Sequence, residues 1–181
     1  MSTRSGPNLV WLALAFYLPM GAGLFFLKPP GLLRVADWAG FAAGMGVALV
    51  AGVAVVGLSR VVARGTAWGS RLQAEFRKIL SGMGPREVLV LALLSAFGEE
   101  ILFRGVIHPR LGLYPTAILF GLFHFPIRRW MIPWSLFALV LGLVLGLLTD
   151  QFRSLWPVIF LHFFINYFNL NDLAGDGPEP D

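Results

Sequence analysis

The chain has 181 residues, of which 57% are hydrophobic and only 13% are charged. Its mean hydropathy of +0.74 is far too high for a soluble domain and is typical of a membrane protein. The formal net charge of +4 is concentrated in a few loops without interleaved aromatic residues, so we expect no nucleic-acid partner, and the absence of cysteine leaves no role for thiol chemistry.

The first two apolar runs predict two membrane-spanning helices. Leu9 to Leu27 has about the 20 residues that cross a bilayer, and it is longer than the apolar part of an ordinary signal peptide. Trp38 to Leu58 is rich in Gly, Ala and Val. Its glycines, Gly40, Gly44 and Gly52, indicate helix packing rather than lipid contact.

A basic stretch separates the second span from the third. Between Ser59 and Arg86 six residues are basic and only Glu75 is acidic. Apolar residues recur in this stretch at the spacing of one helix face: Leu72, Phe76, Ile79 and Leu80. We therefore expect an amphipathic helix that lies along the cytoplasmic membrane interface.

The third span, from Glu87 to His108, contains charges that a bilayer disfavours. Each ionised side chain at mid-membrane costs about 2.5–3.5 kcal/mol on insertion scales, so such residues need partners or a function. Glu100 and Arg104 are four residues apart, share a helix face and can form an ion pair. Glu99 points about 100° away from Glu100 and has no local counter-ion, which makes it the candidate functional acid.

Three further spans carry the remaining buried polar residues: Tyr114 to Phe125, Trp130 to Thr149 and Ser154 to Leu170. The first of these is about 18 Å long, so it must lie against a cavity, be extended by its flanks or be re-entrant. Phe120 shares a helix face with His124, and His162 shares one with Asn166. In the predicted topology Glu99 and both histidines lie about 12–15 Å from the outer ends of their spans. One water-containing pocket could therefore include all three side chains.

These elements predict an all-α polytopic membrane bundle of about six spans and one interfacial helix. Residues 1–170 would form a single domain, and the acidic residues 171–181 a disordered tail. Lys and Arg predominate in the inner loops if both termini are cytoplasmic. We therefore expect a multi-pass protein of the cell's inner (plasma) membrane with both termini in the cytoplasm.

Three motifs follow one another on three of these spans. They are EExxxR at Glu99 to Arg104, FxxxH at Phe120 to His124 and HxxxN at His162 to Asn166. In this order they resemble the motifs of the CPBP intramembrane proteases, the CAAX-protease and bacteriocin-processing relatives also called the ABI family. The resemblance covers about residues 86–170, and the small size of the chain is similar to that of the myxosortase-type members.

The resemblance implies an intramembrane endopeptidase that hydrolyses a peptide bond of a membrane-anchored protein or peptide. Glu99 would activate water as the general base with the help of His124, while His162 and Asn166 would stabilise the oxyanion. Three further residues would support the site: Glu100, Arg104 and Phe120. The depth of the motifs predicts a cut nearer the outer face, as in the trimming of a C-terminal membrane anchor.

The role of a metal stays open between two interpretations. Glu99, His124 and His162 could ligate zinc and leave a position for water, although the sequence has no HExxH motif. We favour the glutamate type without a cofactor, because no further carboxylate is evident in these spans that could orient both imidazoles as ligands.

Structural and non-proteolytic interpretations also apply to these residues. Glu100 and Arg104 could be a packing ion pair, and each histidine could join two helices by hydrogen bonds. His108 fits no motif, and we expect it to be solvated near the outer interface. The same fold could serve a non-catalytic peptide-binding or immunity protein, or a proton or ion transport subunit, although no inverted repeat is evident.

Overall fold

A computed structural model describes residues 10–18, 31–33, 35, 37–80, 82–124 and 129–175. Every extended regular element in these residues is helical, which confirms the all-α prediction. In chain order the helices are α1 (10–18), α2 (Trp38–Gly65), α3 (Ala67–Leu80), α4 (Pro85–Glu100), α5 (His108–Leu111), α6 (Leu113–Phe123), α7 (Ile132–Phe152) and α8 (Trp156–Ala174).

Two of the helical segments are long and apolar enough to cross a membrane. They are Trp38–Gly65 and Arg129–Phe152, each with a mean hydropathy of 2.3. Their outer faces expose large apolar side chains such as Val50 and Leu147, which suits contact with lipid. Helix α6 is apolar but has only 11 residues, as its run in the sequence predicts. The count of six spans stays a prediction.

Helices α2 and α8 run in the same direction and pack closely at two glycines of α2. A Cβ atom on Gly44 would lie 2.8 Å from Pro157 Cγ, and one on Gly52 would lie 2.8 Å from Phe164 Cδ1. These two glycines therefore allow the backbones to approach, as the composition of the second span indicates. Gly40 instead donates its backbone N–H to Asp37, the residue that caps α2.

Helices α6 and α7 form a tight antiparallel pair beside the third span. A Cβ atom on Gly121 would lie 2.8 Å from Leu139 Cβ, and one on Gly142 would lie 3.3 Å from the Cα of Ala117. This close approach sets His124, which follows the last residue of α6, against the first turns of α7, where Ser135 Oγ donates to its backbone oxygen at 2.7 Å.

The third span is one continuous helix with an irregular middle. Helix α4 passes directly into a π-helical segment, Ile101–Ile107, and then into α5. Such segments widen the helix locally and occur often at functional sites. This one begins directly after the two adjacent carboxylates and contains Arg104, which is fully buried. The sequence predicted the span but not this irregularity.

One predicted boundary differs from the observed helices, and one predicted placement stays a prediction. The apolar stripe of α3, formed by Leu72, Phe76, Ile79 and Leu80, lines a cavity of the bundle, while Ile79 is 50% exposed; the place of α3 along the membrane interface stays a prediction. Helix α8 continues to Ala174, so residues 171–174 are helical rather than part of a disordered tail, and Asp172 Oδ2 accepts a hydrogen bond from Arg60 Nε at 2.7 Å. Residues 176–181 of that tail, and residues 19–27 of the first run, lie outside the described residues.

Candidate active site

Two adjacent carboxylates at the end of α4 have different surroundings. The side chain of Glu100 is fully buried, whereas that of Glu99 is 18% exposed. Because neighbouring residues on a helix point about 100° apart, Glu100 meets Arg104, and Glu99 faces two imidazole rings. The sequence predicted this division of partners.

Arg104 connects the third span to α7. Its Nη1 donates to Glu100 Oε1 at 3.0 Å, and its Nη2 donates to the backbone oxygen of Gly142 at 3.0 Å. The guanidinium carbon also lies 4.3 Å from the centre of the Phe120 ring, a cation–π contact in a site without exposure to water. Phe120 is thus a wall of the site that stabilises the buried cation.

Glu100 also fixes the hydrogen on one nitrogen of His162. His162 Nδ1 lies 2.7 Å from Glu100 Oε1, and since an ionised carboxylate accepts only, Nδ1 must be the donor. Nε2 of this ring can then donate only if the ring carries a second proton. The carboxylates of Glu100 and Glu99 lie beside this ring, 2.7 Å from Nδ1 and 4.0 Å from Nε2.

The ring of His124 is oriented by the backbone of its own helix. Its Nδ1 lies 2.8 Å from the backbone oxygen of Phe120, which can only accept, so Nδ1 carries the hydrogen. The opposite nitrogen, Nε2, is then a free acceptor in the neutral ring. It faces Glu99 Oε2 across 3.9 Å.

One carboxylate oxygen, Glu99 Oε2, is buried and has no hydrogen-bond partner among the described residues. The Nε2 atoms of His124 and His162 lie 3.9 and 4.0 Å from it. These distances exceed those of direct hydrogen bonds, but they suit a small polar group that bridges them, such as one water molecule. The geometry therefore offers a basic oxygen beside one imidazole that accepts and one that can donate.

Asn166 lies one helical turn beyond His162 on α8. Its Nδ2 donates to Ser95 Oγ of α4 at 2.9 Å, which uses one of its two amide hydrogens and leaves the other free. Asn166, His162, His124 and Ser95 line the same cavity. The structure thus brings the polar groups of all three motifs to one place.

The cavity beside these residues has a volume of about 780 Å³ and mostly apolar walls. It extends between the last turns of α2, helix α3, the first turns of α7 and the last turns of α8. The charge count of the loops predicts that this end of the bundle faces the cytoplasm. The cavity thus lies toward the end opposite to the one near which we expected substrate cleavage, because the short α6 ends at Phe123 and sets His124 at the α3 side.

Several contacts of the site have no signal in the sequence. Tyr17 Oη donates to Glu99 Oε1 at 2.7 Å, although the two residues are 82 positions apart. Ser95, Ser135 and the carbonyl of Gly142 support Asn166, His124 and Arg104, respectively. None of these residues belongs to a motif, and only the folded chain brings them together.

His108 is the histidine that belongs to none of the three motifs. The sequence predicted that it would be solvated, but it is buried. It is 8% exposed, and its Nε2 lies 2.9 Å from Asp150 Oδ1 of α7. Burial results because α5 packs against α7, where a Cβ atom on Gly146 would lie 3.2 Å from the Cε1 atom of His108. It forms no part of the candidate site.

The residues expected to hold zinc fit that role only in part. The Nδ1 atoms of both site histidines are held by oxygen acceptors, as in many zinc sites: a carboxylate, that of Glu100, orients His162, and a backbone oxygen orients His124. Yet the described residues contain no group of three histidine, aspartate or glutamate side chains that could hold a metal ion. The geometry thus gives no ready-made zinc site.

Comparisons with known proteins agree with the motifs. The sequence model of a family described as "Rce1-like: Type II CAAX prenyl endopeptidase Rce1-like" matches residues 84–168, which include all three motifs. An uncharacterized protein of Bacillus subtilis (strain 168), YpbD, is 35% identical over 92 residues, which are 50% of this chain and 47% of the relative. The chain therefore aligns with about half the length of this curated relative. No solved structure matches the chain significantly.

Proposed function

We propose that this chain, whose residues 84–168 match the Rce1-like family of type II CAAX prenyl endopeptidases, is an intramembrane endopeptidase whose general base is Glu99. The family implies a protease that acts on a membrane-associated protein. The observation that carries the assignment of Glu99 is its unpartnered buried Oε2, which faces the Nε2 atoms of two histidines.

Water activation is the first step of the proposed reaction. A water molecule between Glu99 Oε2 and His124 Nε2 can donate one hydrogen to each, because both atoms are acceptors. Its oxygen then attacks the carbonyl carbon of the peptide bond while Glu99 takes the proton. Such a positioned base contributes about 10²- to 10⁴-fold to the rate.

Oxyanion stabilisation is the second task of the site. The imidazolium Nε2–H of His162 and the free amide hydrogen of Asn166 are donors that suit the negative charge on the tetrahedral intermediate. As Glu99 becomes neutral, the negative charge moves to this oxyanion, so the sum of charges in the site stays the same. The proton then passes from Glu99 to the leaving nitrogen as the carbon–nitrogen bond breaks.

The cavity supports substrate entry from the α3 side of the bundle. Its apolar walls suit a lipid-anchored or membrane-embedded peptide, and its rim includes Arg60, Arg64 and Arg77. With both termini in the cytoplasm, this entrance would face the cytoplasm. We place the protein in the cell's inner membrane on the same grounds of loop charge.

Hydrolysis of a prenylated CAAX peptide tests the function directly. We expect the purified full-length protein in liposomes to cleave a fluorescence-quenched peptide of this kind, with the products identified by mass spectrometry. His124→Ala should lower the rate by at least about 100-fold, because water loses one of its two acceptors. His108→Gln, a change of the histidine outside the site, should leave the rate unchanged.

The same liposomes separate the alternative functions. A non-catalytic peptide-binding or immunity protein would retain the peptide without forming products, and a transport subunit would move protons without cleavage. A wild-type protein that yields no products, or a His124→Ala variant as fast as the wild type, would contradict the proposed reaction.

Metal removal gives a second expected result. Because we favour the glutamate type, and the described residues contain no group of three possible metal ligands, the rate of peptide cleavage should be unchanged after dialysis against EDTA and in the presence of 1,10-phenanthroline. Metal analysis of the purified protein should find zinc far below one atom per chain. A loss of activity that added zinc restores would identify a metalloprotease instead.

A further inference from the structure

The hydroxyl of Tyr17 is the hydrogen-bond donor that the structure provides to Glu99. Tyr17 Oη lies 2.7 Å from Glu99 Oε1, the length of a strong hydrogen bond to an ionised oxygen. Tyr17 belongs to α1, outside the residues 84–168 that match the family, so neither the motifs nor the match assigns it a role.

Glu99 needs such a donor because no Lys or Arg side chain of the described residues pairs with it. The guanidinium of Arg104 is hydrogen-bonded to Glu100 and to the Gly142 carbonyl, and no Lys or Arg side chain in the described segments forms an ion pair with Glu99. A mostly buried carboxylate without hydrogen bonds is costly. The hydroxyl of a tyrosine lowers that cost because it donates a hydrogen bond. Since it is neutral, it does not cancel the charge of the carboxylate as a cation would.

Helix α1 lies along α4, so it can hold this hydroxyl in place. Its first described residue, Val10, packs against the buried cluster of Met83 and Val88 near the start of α4. Seven residues later, Tyr17 meets Glu99 in the last turn of α4. Between them Ala13 is also buried, so α1 meets the rest of the bundle at more points than Tyr17 alone.

We infer that Tyr17 is a positioning residue of the active site, which holds Oε1 of Glu99 so that Oε2 is the oxygen that receives the proton from water. This inference rests on the proposed function of Glu99 as the base. With Oε1 occupied by the phenol, only Oε2 faces the two Nε2 atoms, at 3.9 and 4.0 Å. The first helix thereby completes a site whose other members all lie in the family segment.

Tyr17→Phe removes only the hydroxyl, and its effect on turnover tests the inference. In the liposome assay with the quenched prenylated peptide, kcat should fall about 10- to 100-fold, because a base misplaced by about 1 Å loses up to about 100-fold. KM should be unchanged, since Tyr17 is not among the residues that line the cavity. Tyr114→Phe is the matched control, because that tyrosine is 71% exposed, and its kcat should equal that of the wild type.

Thermal unfolding in detergent provides a measurement that needs no activity. Tyr17→Phe should lower the Tm of the wild type but leave the Tm of a Glu99→Met variant unchanged, because methionine keeps the volume and removes the acceptor. An equal drop in both backgrounds would show that the hydroxyl does not act through Glu99, and would overturn the inference.

The outcomes for the base and for its positioning residue are distinct. If Glu99→Gln abolishes cleavage and Tyr17→Phe keeps the kcat of the wild type, the inference fails and the proposed function stands. If the wild type cannot cleave the peptide, or Glu99→Gln cleaves it normally, the proposed function fails and the inference with it.

Discussion

Replacement of Glu99 by Gln is expected to reduce kcat for the prenylated peptide by about 10²- to 10⁴-fold, the usual contribution of a general base. Glutamine has nearly the shape of glutamate, and its amide oxygen can still accept the hydrogen bond of Tyr17, which is 2.7 Å from Oε1 in the wild type. It cannot accept a proton from water, however. The loss should therefore appear in kcat, measured in liposomes, with KM and Tm close to those of the wild type.

Glu87→Gln is the matched control for this variant. Glu87 lies in the first turn of the same helix, remote along α4 from the two site carboxylates, and the change should leave kcat unaltered. Peptide binding to Glu99→Gln, followed by fluorescence anisotropy, should match that of the wild type. Unimpaired cleavage by Glu99→Gln would remove this residue from the mechanism.

The short-range part of the site could be predicted from the sequence because helical periodicity determines it. Glu100 and Arg104 are four residues apart, and the predicted ion pair forms. The same periodicity sets Phe120 beneath His124, where the carbonyl of Phe120 orients the ring. Adjacent positions on a helix diverge, so the separation of Glu99 from Glu100 also followed from the sequence.

The long-range part of the site could not be predicted in the same way. Tyr17 and Ser95 contact the motif residues across the bundle, and no local spacing encodes such contacts. An apolar stripe such as that of α3 has the same pattern whether it meets lipid or protein, so the sequence could not show that it lines the cavity. The sequence predicted that Asp172 belongs to a disordered tail. Its partner, Arg60, is 112 positions away, and no local pattern indicates that contact.

Replacement of Glu100 by Gln is expected to destabilise the protein more than any other change in the site. Arg104 has no exposure to water and would lose the carboxylate that balances its charge. A buried ion pair that loses one partner costs about 3–5 kcal/mol of unfolding free energy. The Tm and the yield of monodisperse protein in detergent should both fall. Lys78→Gln, which breaks a pair whose lysine side chain is 68% exposed, is the control and should cost at most about 1 kcal/mol.

A second substitution separates the structural role of Glu100 from its effect on His162. In Glu100→Gln with Arg104→Met no buried cation lacks a partner, so most of the lost stability should return. Cleavage should not return, because His162 Nδ1 would no longer contact a carboxylate, and the ring would no longer be held as the imidazolium that donates to the oxyanion. Recovery of both stability and cleavage in the double variant would show that the ion pair serves packing alone.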